Sequence, residues 1–161
     1  MASRTVDTFQ GERVVWTTSS PYDKVLERLN NEIKRPGQSP SKVFLKDNLT
    51  KEEFISFYSE IQGPAGFMQF HEFDHGRWIK LFDVGQGLRL KRVILGNPLI
   101  AITMLRHDSN AGLCVPIELL IRELEDGKGT QLDQNLSDAV RVLDEKFEKL
   151  LEQITGDAIE P

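Results

Sequence analysis

Apolar positions in this chain recur at two spacings, and the places where the spacing changes mark the predicted elements. Arg13-Val14-Val15-Trp16-Thr17 reads as a strand. Ser20-Pro21 follows as an N-cap and first-turn proline, with Asp23 at the reach-back position. A helix is expected from Pro21 to about Lys34, because Tyr22, Val25, Leu26, Leu29 and Ile33 recur every three or four residues. Arg35-Pro36-Gly37-Gln38-Ser39-Pro40 cannot continue it. Thr50-Lys51-Glu52-Glu53 matches a capping box, and Phe54, Phe57, Tyr58 and Ile61 make the stripe of a second helix ending before Gly63-Pro64.

Beyond that point the pattern turns to strands. Phe67 to Phe73 and Arg77 to Phe82 are aromatic-rich runs around Asp74-His75-Gly76, which predicts a hairpin. Leu88 to Leu95 is a third strand, so an antiparallel meander is expected. Asn97 and Pro98 then cap and open a helix to Arg106 whose body, Leu99 to Leu105, is apolar almost all round. Such a helix needs cover on nearly every side, from the core or from a second subunit. Asn110 to Val115 reads as a loop, Pro116 to Leu124 as a strand, and Thr130 to Asp133 as a last strand after the turn at residues 125–129. The final helix, capped by Asn135 or Ser137, runs to about Ile154. Leu136, Val140, Leu143, Phe147, Leu150 and Ile154 give it a heptad-like stripe, with Glu145 and Lys149 as a supporting pair. The order predicts an α+β fold, an antiparallel β-sheet backed by helices. A single domain over residues 11–155 would lie between flexible ends at 1–10 and 156–161.

Composition narrows the function classes. At 161 residues, with 39% hydrophobic and 28% charged positions, the chain has the profile of one globular domain. A net charge of −5 and the lack of a Lys/Arg cluster speak against nucleic acid, whose binding requires several phosphates to be neutralised together. No stretch nears the roughly 18 apolar residues of a membrane span. The polar, acid-bearing start resembles no secretory or transit segment, so no membrane partner and a cytoplasmic location are expected. Cys114 is the only cysteine, which rules out an intrachain disulfide and multi-cysteine zinc or iron–sulfur centres. No cofactor motif stands out.

Ile94-Leu95-Gly96-Asn97-Pro98, then Asn110-Ala111-Gly112-Leu113-Cys114-Val115-Pro116-Ile117 and Glu123-Leu124-Glu125-Asp126-Gly127, resemble the family catalogued as domain of unknown function 302. The resemblance implies a TBP-like α+β fold and a homodimer, and it implies no activity. Two departures stand out. Ala101-Ile102-Thr103 replaces the Gly-Thr-Pro usual in bacterial members, and Cys114 replaces an Asp, so no role of that carboxylate carries over. The long segment from Pro36 to Trp78 is more similar to eukaryotic, fungal-type members than to the compact bacterial form.

His71-Glu72-Phe73-Asp74-His75 concentrates ionisable groups. On a strand the two histidines stand about 13 Å apart, so one metal cannot bridge them and no metal site is expected. Alternation puts His71 on one side with Gln69 and Phe73, and Glu72 and Asp74 on the other. Arg106-His107-Asp108 suits a helix C-terminus, and an Asp beside a His can also charge an imidazole. Gly96-Asn97-Pro98 offers helix-start amides to an anion, or serves as a plain cap. The reading that follows is a homodimeric small-molecule-binding protein or modest acid/base enzyme, with a pocket between the sheet and the apolar helix. His71, His107 and Cys114 are its catalytic candidates, and Glu72, Asn97, Arg106 and Asp108 its ligand-binding ones. The alternative is a non-catalytic homodimeric interaction or scaffold protein.

Overall fold

The computed structural model describes residues 11–37, 39–125, 127, 129–137 and 141–156. Its elements are β1 (Gly11–Thr18), α1 (Tyr22–Glu32), β2 (Ile33–Lys34), α2 (Lys51–Ile61), β3 (Phe67–Asp74), α3 (His75–Ile79), β4 (Leu90–Gly96), α4 (Pro98–Leu105), β5 (Ile117–Glu123), β6 (Thr130–Ser137) and α5 (Arg141–Thr155). The strands form one open six-stranded sheet in the order β1-β6-β5-β4-β3-β2. Every pairing is antiparallel except that of β2 with β3, so the expected antiparallel sheet carries one short parallel edge.

Alternation decides which face is covered. Val93 and Leu95 of β4, Leu119 and Ile121 of β5 and Leu132 of β6 are all buried, and on them pack Tyr22, Val25 and Leu29 of α1 with Leu150, Leu151 and Ile154 of α5. Burying each such side chain contributes about 1.5 to 3 kcal/mol, and this two-layer packing holds the single α+β domain together. The register puts Val15, Arg92, Glu118 and Leu120 on the opposite face, where Val15 is exposed and Leu120 half-buried.

The termini of α5 and α2 show how side chains close the ends of elements. Arg28 of α1 donates to the carbonyl oxygen of Thr155 at 2.6 Å and Ser20 Oγ donates to the same oxygen at 3.0 Å, so a carbonyl left over at the end of α5 is satisfied. Ser20 therefore does not cap α1. Pro21 occupies that place with no side-chain hydrogen bond, and Asp23 turns to Arg89 instead of reaching back. The capping box of α2 forms as expected, with Thr50 Oγ1 accepting from the Glu53 amide and Glu53 accepting from the Thr50 amide.

Three other expectations are corrected. Arg77 to Phe82 is not a strand: α3 and a 3-10 turn at Lys80–Phe82 occupy it. β4 pairs with β3 from Met68 to Asp74 and so takes the place beside β3 that a hairpin strand at 77–82 would hold. The meander is therefore β3, β4 and β5, with residues 75–89 as a helical connector. The last strand continues to Ser137, and Asn135 pairs with Arg13 and Ser137 with Gly11, so neither residue caps the final helix. Ile33 and Lys34 leave α1 to pair with Phe67 and Met68. Val140, the expected flexible end at 1–10 and all but Gly156 of the one at 156–161 lie outside the described residues, as do the side chains of Leu136, Leu143, Glu145 and Phe147. Leu150 and Ile154, the rest of the heptad-like stripe, are spent in the chain's own core rather than left free for a partner.

Candidate functional site

Because α4 is apolar all round, its packing leaves one face over. Ile100 enters the core and Met104 packs against it, while Ile102 is 48% exposed on the far side. That far side forms one wall of a groove of about 1020 Å³. Phe54 and Ile55 of α2 face it, and Phe70, Val115 and Pro116 line it from the sheet and the segment before β5. Asn97 fixes the corner where the two helices meet. Its buried amide accepts from the Leu99 N–H at 2.9 Å and donates to Gln62 Oε1 at 2.9 Å and the Gly66 carbonyl at 2.8 Å. The N–H groups of Ile100 and Ala101 donate to the Asn97 carbonyl, so the first amides of α4 are all engaged within the chain. Asn97 thus lines the groove as a joint whose amide is already fully bonded.

Arg106 also lines the groove, held by a hydrogen bond from its Nε to the Ile102 carbonyl at 3.2 Å. Its neighbours in sequence do something else. Asp108 accepts from the Asn110 amide at 2.8 Å and so caps the turn Ser109–Leu113. The exposed His107 is accordingly not oriented by it. Cys114 is half-buried and packs against the core. The three catalytic candidates are not brought together, and neither His71, His107 nor Cys114 lines the groove.

A β-bulge between Gln69 and His71 rearranges the aromatic strand. The extra residue shifts the alternation by one, which puts Gln69 on the side of Glu72 rather than of His71. Gln69 Nε2 donates to Glu72 at 3.3 Å, and Lys91 and Arg35 reach the same carboxylate at 3.0 and 3.3 Å. Burial pushes the Glu72 carboxyl up, but the Lys91 hydrogen bond and charge, with Arg35, outweigh it and hold the group below its ordinary value. His71, expected against an enclosed face, is exposed. It meets the Phe73 ring edge-on at 4.5 Å, Phe73 stacks on His75 at 5.9 Å, and Trp78 Nε1 donates to His75 Nδ1 at 3.2 Å. His71 and Glu72 share with Arg35, Ser39 and Pro40 a smaller cleft of about 290 Å³. His71 therefore lines this edge cleft and not a pocket beside the apolar helix, where it is expected from the sequence.

Lys51, Phe54, Ile55 and Phe70 line the groove without standing out in the sequence as site residues. Ile55 carried the available signal, since it stands beside the stripe of α2 and gives that helix a second apolar direction. Phe70 carried none, because its direction depends on the bulge. Another charged cluster is structural. Arg89 binds Glu123 at 2.7 Å, hydrogen-bonds Asp23 and lies over the Tyr22 ring at 4.4 Å, which ties the ends of β4 and β5 to α1. Among the described residues no three His, Cys, Asp or Glu are grouped to hold a metal, and no helix is long and apolar enough to cross a membrane.

Comparison with known proteins gives a family match. The model described as domain of unknown function DUF302 matches residues 45–156, more than half of the chain. Among solved structures, the crystal structure of an uncharacterised conserved DUF302 protein from Bacillus stearothermophilus is similar. It has 14% identity and a TM-score of 0.47, covering 90% of this chain and 88% of its own. No curated protein matches.

Proposed function

The chain belongs to the DUF302 family, and on that premise we propose that it is a small-molecule-binding protein whose site is the apolar groove between α2 and α4. The observation that carries this reading is the uncovered face of α4. An all-apolar helix with only one side in the core leaves a concave surface of ligand size, since small-molecule sites span about 300 to 1,000 Å³ and are mostly apolar. Binding is favoured over acid/base chemistry because none of the histidines, and not Cys114, reaches the groove. The wall supplied by α2 belongs to the long segment from Pro36 to Trp78, which we assign to a fungal-type branch of the family. A cytoplasmic setting fits, because a lone cysteine asks for no oxidising compartment.

A neutral solvatochromic dye tests the site. It should bind the folded protein saturably, and Ala101→Trp, which fills the groove from α4, should abolish binding while circular dichroism and the urea midpoint stay near wild type. Dye binding indifferent to that substitution would place the apolar site elsewhere.

A second reading, pairing of two copies, is favoured by a separate observation: Trp78, Leu81, Phe82 and Val84 are all exposed along the connector between β3 and β4. Pairing there leaves the groove free, so a homodimeric binding protein combines both readings.

A further inference from the structure

We propose that the groove takes a single-chain amphiphile with an anionic head, its alkyl chain laid along α4 and its head held between Lys51 and Arg106. The inference rests on the groove being a ligand site. Its chemistry comes from how charge is distributed along the lining. Among the described residues, the charged side chains that line it are Lys51 and Arg106, and no carboxylate is in the lining. Neither cation is in an ion pair with a described residue, whereas Arg35, Lys46, Arg89, Lys91 and Arg92 each are. Glu53, close to Lys51 in sequence, is already held by Thr50 and Lys46. In a chain of net charge −5, two cations without carboxylate partners beside an apolar surface are placed to meet a negative group.

Position along the groove points the same way. At the corner the Asn97 amide is fully bonded within the chain, so this end of the groove suits the apolar end of a ligand. Lys51 begins α2, which runs into that corner, and Arg106 follows α4, which leaves it. At 1.5 Å per residue both cations stand roughly 12 to 16 Å along their helices from the corner. Phe54, Ile55, Leu99, Ile102 and Leu105 line the space between. An apolar groove with two cations in its lining matches a chain with one charged end better than a compact polar metabolite. It also disfavours a second copy as occupant, because two such grooves docked on a two-fold axis would oppose cations with no described carboxylate in the lining to meet them.

The test uses the full-length protein and four probes below their micelle concentrations: dodecanoate, dodecyl phosphate, 1-dodecanol and butyrate. At low salt, titration calorimetry should show one of the two long-chain anions binding about threefold to tenfold more tightly than the alcohol, the range of two partly exposed charge contacts. Butyrate should bind far more weakly. The advantage of the anion should shrink with added salt and disappear in the Lys51→Gln/Arg106→Gln variant, whose affinity for dodecanol should be unchanged. Equal binding of anion and alcohol, unaltered by that variant, would overturn the anionic head and leave the apolar groove standing. Binding of none of the long chains, or binding that survives Ala101→Trp, would overturn the groove itself. A double variant that melts early is replaced by Lys51→Met alone, which removes one contact and should lower the anion's advantage by about half on a logarithmic scale.

Discussion

Glu72 is the residue at which burial and charge oppose each other most plainly. It sits half-buried on the covered side of β3, and Lys91 and Arg35 reach it from β4 and from beyond β2. Because these cations hold its folded pKa below the unfolded value of about 4.3, the group adds stability above that pH, and the contribution is lost as pH falls through the folded value. Glu72→Gln should therefore flatten the acid limb. Between pH 6 and pH 3 the variant should lose about 0.5 to 1 kcal/mol less stability than wild type, the scale of a partly exposed pair. Urea melts at each pH give the comparison. Parallel curves would mean that the lysine and arginine leave this carboxyl untouched. The residue read from the sequence as a ligand contact is engaged by Lys91, Arg35 and Gln69, while the neighbouring His71, beyond the bulge, is exposed.

α4 links local sequence to the site at the scale of an element. Its composition says that it must be covered but not from which direction, and the structure answers with Ile100 inward and Ile102 outward. Ile100→Ala should cost about 2 to 4 kcal/mol, as a cavity in a core does. Ile102→Gln should stay within about 0.5 kcal/mol. Urea melts of equal slope measure both, and the reverse order would turn the helix around and remove the groove wall. Where local rules were sufficient, the sequence was readable: the capping box at Thr50 and Glu53, the Asn97 cap with Pro98, and the stripe of α1 all recur in the structure. Where pairing at a distance decided, it was not. Trp78, Ile79 and Phe82 have strand-forming side chains, yet β4 takes the place beside β3 that a hairpin would have given them. Asn135 and Ser137 look like caps and are drawn into β6 by eight paired positions along β1. The site was legible to the same degree. The all-apolar helix pointed to a pocket beside it, but the bulge that aims Phe70 and the meeting of α2 with α4 are tertiary facts with no local signature.

For the whole molecule, the open question is what covers the apolar surface that the fold leaves outside. Leu81 is 76% exposed, Phe82 71%, Val84 55% and Trp78 50%, all within one connector. Trp78 and Phe82 stand edge to face at 6.3 Å, and Trp78 is tied through His75 to Phe73 on the sheet, so these rings form a continuous surface rather than scattered side chains. Contiguous apolar patches of this kind mark interaction sites on soluble chains. The expected partner is a second copy, since an isologous contact lets one patch cover its own image. Light scattering at micromolar concentration should return twice the chain mass of 18.3 kDa. Leu81→Asp/Phe82→Asp should return a single chain mass with native circular dichroism, because neither side chain is in the core. Dye binding in the groove should persist in that variant, as α2 and α4 lie apart from the connector in sequence and in the lining of the site. A wild type that scatters as one chain would remove the homodimer. A double variant that still pairs would move the interface to another face, the exposed side of the sheet around Val15 and Leu120 being the next surface to charge.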